Sequence, residues 1–204
     1  MSVDVPDWIK EIKPIVKTIP LKPYSINGLL FPEAEAVWSF ETTMGYPRKR
    51  LSDYSKYRPE IIVIVMDFSG ITGLNPDLTR DALNFIGANL RDENDPFYMV
   101  LDAVQPWEDL TRALIKRWAI VAAGRRQGAI GYELIGDKSK INKHAEAFRK
   151  LTDKGEWVNG RDFALNTLNL QSKYKISQRL KHMHQAGLAF RASHGRSAYY
   201  HSVI

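Results

Sequence analysis

The sequence predicts an α/β N-terminal domain, a mixed or parallel sheet carrying helices, followed by a smaller module of two short helices and a hairpin. Three observations carry this prediction. Short apolar runs alternate with stretches of helical spacing over the first two thirds. The last fifty or so residues switch to short helices and then to two segments alternating apolar and polar side chains. The excess of positive charge is also confined to that end. Asp137 to Ile204 holds 13 Lys/Arg against 5 Asp/Glu, a balance of +8, whereas Met1 to Gly136 holds 16 against 18, a balance of −2.

A chain of 204 residues has room for one large domain or two small ones, and 44% hydrophobic content is enough to bury a core. The absence of cysteine excludes disulfides, thiol catalysis and thiolate metal sites, and suits a reducing compartment. The opening segment MSVDVPDWIKEIKPIVK mixes charges into its apolar residues, so no signal peptide is expected. No later stretch approaches a membrane span. The expected location is cytoplasmic, with no membrane partner.

Residues 7–17 read as a short amphipathic helix with Trp8, Ile9, Ile12 and Val16 on one side. Pro32 opens a second helix that is expected to stop at Gly45. A polar loop over 46–58 follows, with Arg48, Lys49, Arg50, Lys56 and Arg58 among tyrosines. It offers stacking and phosphate contacts, or simply a solvated surface. Ile61 to Met66 is the most apolar run and reads as a strand buried on both faces. After a turn at Ser69-Gly70, Pro76 opens a helix with Leu78, Ala82, Phe85, Ile86 and Leu90 at helical spacing. Phe97 to Val104 reads as the second strand. Pro106 begins a helix with Leu110, Leu114, Trp118 and Val121 inward, and AIGYELI (129–135) reads as the third strand. Strand, helix, strand, helix, strand is the pattern of parallel α/β packing. The domain boundary is expected after Gly136, giving domains 1–136 and 137–204.

In the second domain, Arg161 to Leu168 reads as a short helix and 169–172 as a turn. The next helix carries Ile176, Leu180 and Met183 inward and ends at Gly187. LAFRAS and SAYYHSV flank His194-Gly195-Arg196 as a hairpin with a basic tip. This is the pattern of a winged helix-turn-helix, in which one helix is braced so that its polar face can enter the major groove of duplex DNA. The face left outward carries Lys173, Tyr174, Lys175, Ser177, Gln178 and Lys181, with Arg179 at its edge. Arg191, His194 and Arg196 belong to the hairpin. Lysine and arginine suit phosphates, whereas Tyr174, Ser177 and Gln178 suit base edges.

The run Ile176-Ser177-Gln178-Arg179-Leu180, then Ala186-Gly187-Leu188, Arg191, Gly195-Arg196 and Tyr199-Tyr200, resembles the ArsR- and MarR-like winged-helix superfamily. The resemblance spans about fifty residues. It implies double-stranded DNA as partner and a homodimer. His182 and His184 lie two apart and point to different faces, so no shared metal site is expected there. Asp67-Phe68-Ser69-Gly70-Ile71 resembles the strand end of a STAS domain over some thirty residues, which implies an interaction or oligomerisation domain with its own protein partner. Pro76 and Asp77 stand where that family carries its phosphorylatable serines, so phosphorylation-controlled switching is not implied.

Asp67 and Asp102 each end an apolar strand, where carboxylates can hold Mg²⁺ with Glu108, Asp109 or Glu133. The plainer reading is that both cap the turns that follow. No Gly-Lys-Ser/Thr phosphate loop is present. The expectation is a sequence-specific DNA-binding regulator with no catalytic residue, metal or cofactor. A Mg²⁺-dependent nuclease and a winged-helix interaction scaffold are the alternatives.

Overall fold

The computed structural model describes residues 4–52, 61–90, 97–115, 121–168 and 173–204, with the side chains of 44–52, 84–90, 97 and 173–177 outside that description. The chain forms two compact units, one of Pro14–Lys138 and one combining Met1–Lys13 with Ser139–Ile204.

A single helical turn, α1 (Asp7–Lys10), is all that forms of the helix expected over 7–17. Pro14 has no N–H to continue a helix, and the β-branched Ile15, Val16, Thr18 and Ile19 instead make an edge strand, β1 (Ile15–Pro20). The short strands β2 (Ser25–Ile26) and β3 (Leu29–Leu30) form a tight hairpin before α2 (Ala34–Ser52). That helix runs past Gly45 and Pro47 to Ser52, so 46–52 is helical rather than loop, while 53–60 lies outside the described residues. Gly45 costs a helix only about 1 kcal/mol. Pro47 removes one hydrogen bond, and Val37 and Phe40 already anchor the preceding turns in the core.

The remainder of the α/β unit follows as β4 (Ile62–Asp67), β5 (Gly73–Leu74), α3 (Pro76–Leu90), β6 (Phe97–Val104), α4 (Trp107–Ile115), β7 (Val121–Arg126) and β8 (Glu133–Gly136). The main sheet has the order β1-β4-β6-β7-β8. Its first four strands are parallel, and β8 runs antiparallel to β7. The order steps in one direction, and right-handed crossovers then layer the helices on one face. Accordingly α2 lies against α3 and α3 against α4. Ile62, Ile64, Met66, Met99, Leu101, Ala122 and Ile135 share that core with Leu83, Leu110 and Leu114.

The third parallel strand is β7, formed by 121–126 rather than by AIGYELI. Val121 therefore belongs to a strand and not to the preceding helix, and Trp118 lies outside the described residues. Of AIGYELI, only the end pairs, within the antiparallel β8; Ile130 is 97% exposed. The Ala-Ala-Gly content of β7 has little intrinsic strand preference. It is needed because the Trp107 ring packs against it: a Cβ on Gly124 would stand 3.1 Å from Trp107 Cη2 and from Ile135 Cγ2.

In the second unit, α5 (Lys138–Lys154), β9 (Val158–Asn159), α6 (Gly160–Asn166), α7 (Lys173–Gln185), β10 (Ala189–His194) and β11 (Ser197–Ser202) follow in order. The three strands form a sheet of order β10-β11-β9. The first thirteen residues group with this unit, not with the α/β unit to which their sequence position assigned them. Ile9 is fully buried, and the Trp8 ring meets that of His194 edge-on at 6.0 Å. Among the described residues, no helix is long and apolar enough to cross a membrane.

Candidate nucleic-acid interface

The candidate surface is built from α7 and the β10–β11 hairpin, and each is braced locally. On α5, His144, Ala147, Phe148 and Leu151 form one buried stripe. Asn159 then caps α6, its side-chain oxygen accepting the N–H groups of Arg161 at 3.0 Å and Asp162 at 3.3 Å. Gly160 is dictated by the strand beside it. A Cβ there would lie 2.6 Å from Tyr200 Cε2 and 3.1 Å from the Ala198 carbonyl oxygen. Phe163 and Ala164 of α6, with Leu180 and Met183 of α7, are buried.

The end of α7 is closed by a Schellman motif. Leu188 N–H donates to Met183 O and Gly187 N–H to His184 O, both at 2.9 Å, with Gly187 at φ +74°. Leu188 and Met183 are both buried. Strand β10 leaves from this fixed point. Its register with β11 runs from Ala189↔Ser202 to His194↔Ser197 and leaves Gly195-Arg196 as a two-residue loop. Gly195 supplies the positive φ, +58°, that such a loop wants at its first position. Strand β9 adds to the far side of β11 through Tyr199↔Asn159 and Tyr200↔Val158, a pairing with only two residues to announce it in the sequence.

Arg191, His194 and Arg196 are exposed on the hairpin, and Lys181 is exposed on α7. Gln178 and Arg179 are half-buried. Lys173, Tyr174, Lys175 and Ser177 lie on the first turns of α7, and their side chains are outside the described residues. By spacing, Tyr174, Gln178 and Lys181 share the face opposite Leu180 and Met183. The turn expected at 169–172 lies outside the described residues. From Phe163 to Ile204 the sequence has six Lys/Arg and no Asp/Glu, so no side-chain carboxylate of that stretch offsets its positive charge.

The histidines separate into distinct roles. His184 Nδ1 lies 3.2 Å from Ala189 O, joining α7 to β10. His201, half-buried, stacks on Phe190 at 5.9 Å and meets Trp157 at 5.6 Å. His182 Nδ1 lies 3.2 Å from Lys143 Nζ of α5. His144 is buried, with Nδ1 lacking a hydrogen-bond partner. Burial first, then Lys143, His182, Arg179 and Lys140, brings its pKa down to about 4.

Asp67 and Asp102 are brought side by side, paired in register at the ends of β4 and β6. Asp67 accepts the Ser69 N–H at 2.8 Å, closing the turn. Both oxygens of Asp102 are engaged by Arg125, and one also accepts the Ala103 N–H. Ala103 sits at a bulge with φ +52°, the left-handed region that residues with a Cβ rarely take. Glu133 pairs with Arg126 at 2.7 Å and Asp109 with Arg112 at 3.2 Å. Among the described residues, no cluster of three or more His, Asp or Glu is arranged to hold a metal ion. Sequence reasoning missed Arg125, which lies 23 residues from Asp102, and it missed Lys143 as the partner of His182.

No protein-family model, curated protein or solved structure matches the chain.

Proposed function

We propose that this chain is a sequence-specific double-stranded DNA-binding regulator whose C-terminal unit is a winged helix-turn-helix. The observation that carries the reading is a helix braced at its C-terminus beside a hairpin with a basic tip, in a stretch that has no carboxylate after Asp162. The element order of helix, strand, helix, helix and hairpin supports it.

In this reading α7 enters the major groove. Tyr174, Ser177 and Gln178 read base edges. Lys173, Lys175, Lys181, Arg191 and Arg196 neutralise phosphates and supply most of the affinity, together with its salt dependence. Arg179 and His194 flank the two contact regions. Two copies in a symmetric dimer read half-sites about one helical turn apart. The α/β unit supplies the dimer contact or holds a protein partner, and the regulator acts in the cytoplasm.

The test is fluorescence anisotropy on mixed-sequence duplex across a salt series with Mg²⁺ present. Binding that weakens steeply with salt, without cleavage, is the expected result. No binding at low salt would overturn the reading and leave the module as a protein-interaction surface. Cleavage would make the protein a nuclease.

A further inference from the structure

Two helices far apart in the chain meet through a pair of nitrogen atoms. Lys143 of α5 and His182 of α7 are 39 residues apart, and Lys143 Nζ lies 3.2 Å from His182 Nδ1. An ammonium group has three donors and no acceptor, so the imidazole nitrogen must accept. That assigns the ring proton to Nε2. The pair therefore turns only donors outward: the remaining N–H groups of an exposed lysine and the Nε2–H of a half-buried histidine.

The surroundings share this character. Arg179 precedes His182 by three residues on α7, and Lys140 precedes Lys143 by three on α5, so each lies on the same helix side as its neighbour. All four are close enough to His144 to act on its charge. Glu146 of α5 is held by Lys150 at 3.0 Å, and Arg179 and Arg149 act on it as well. Drawing like charges together opposes folding. The Lys143–His182 hydrogen bond offsets part of that cost, and an anion seated between Lys143 and Arg179 turns the rest into attraction.

We propose that Lys143 and His182, with Arg179, form a clamp for one backbone phosphate of duplex DNA. The clamp extends the interface from α7 onto α5. The proposal rests on the duplex-binding reading above. Lys181 lies on the turn that carries His182, so the clamped phosphate flanks the groove that α7 enters. A phosphate contact of this kind adds affinity on every sequence and carries no base preference.

The experiment is duplex binding by anisotropy across a potassium chloride series, for wild type, Lys143→Gln, Lys143→Arg and Arg196→Gln. Loss of one phosphate contact makes the slope of log affinity against log salt shallower by about 1. Lys143→Gln is expected to show this on all sequences alike, and Lys143→Arg to keep the wild-type slope. Thermal unfolding of the same variants separates a structural role, which would lower Tm and leave the slope unchanged. An unchanged slope for Lys143→Gln beside a shallower one for Arg196→Gln overturns the clamp and keeps duplex binding. No duplex binding by the wild type overturns both. A second arm replaces chloride by inorganic phosphate at constant ionic strength. If phosphate raises the Tm of wild type but not of Lys143→Gln, while the salt slopes of the two are equal, the site takes a free anion and the DNA assignment is wrong.

Discussion

Arg125 grips Asp102 with two parallel hydrogen bonds, Nε to Oδ1 at 2.6 Å and a terminal guanidinium nitrogen to Oδ2 at 2.7 Å. The pair ties β7 to the end of β6 beside the bulge at Ala103. The bonds from Arg125 hold the Asp102 carboxyl below the usual carboxylate range, aided by the Ala103 N–H and opposed by burial. A lowered carboxylate pKa contributes stability that is present above the unfolded-state value and lost as pH falls through the folded one. Arg125→Gln and Asp102→Asn are each expected to destabilise by about 1 kcal/mol near neutral pH. A double-mutant cycle in urea checks the coupling, which should fade at strongly acidic pH. Additive losses would mean that the two residues act independently.

His144 has the opposite sign of pH dependence from a salt-bridged histidine. With a folded pKa of about 4 against an unfolded value near 6.5, the unfolded chain takes up the proton first. Stability is therefore lost as pH falls from about 6.5 to about 4, by up to about 3 kcal/mol. His144→Leu should remove this component. Denaturant midpoints of variant and wild type, compared at pH 7 and pH 4.5, should diverge in favour of the variant at the lower pH. A constant difference would exclude His144 as the source.

Gly160 tests how closely α6 approaches β11. In Gly160→Ala the new methyl meets the Tyr200 ring at 2.6 Å and the Ala198 carbonyl oxygen at 3.1 Å, and backbone cannot yield as a flexible side chain would. A loss of about 1–3 kcal/mol is expected. Gly131→Ala, where a Cβ meets nothing within 4 Å, should be close to neutral. Equal Tm values for the two variants would contradict the packing described.

Trp8 links the start of the chain to the hairpin tip. Its ring lies edge-on to His194 at 6.0 Å, with Ile9 beside it fully buried. The His194 ring protons should carry a ring-current shift in the NMR spectrum that disappears in Trp8→Ala and persists in part in Trp8→Phe. Unmoved His194 signals would show that α1 does not rest there in solution.

On the proposed duplex-binding reading, base readout and phosphate binding should separate by mutation. Arg196→Ala is expected to weaken binding to every duplex and to make the salt slope shallower by about 1. Gln178→Ala should relax discrimination at one position, by about 1–3 kcal/mol, with little change in slope. Selection on a randomised duplex pool measures both, and a uniform loss for Gln178→Ala would remove it from base readout.

Local pattern determined a good part of this protein. β4, β6 and α3 follow from continuous apolar runs and helical spacing, because burial against neighbours demands those side chains wherever the neighbours come from. The α7 stop at Gly187 and the Gly195-Arg196 loop follow from residues that tolerate positive φ. β1 was hidden because an edge strand, largely exposed, has no buried face to impose alternation. β7 was hidden because its small residues are selected by the Trp107 ring, which lies 17 residues from Gly124. The pairings of Arg125 with Asp102, Lys143 with His182 and Trp8 with His194 were decided by tertiary structure alone. Hydrogen bonds and ring contacts between elements far apart in the chain leave no periodic trace, and only the folded packing brings those atoms within reach.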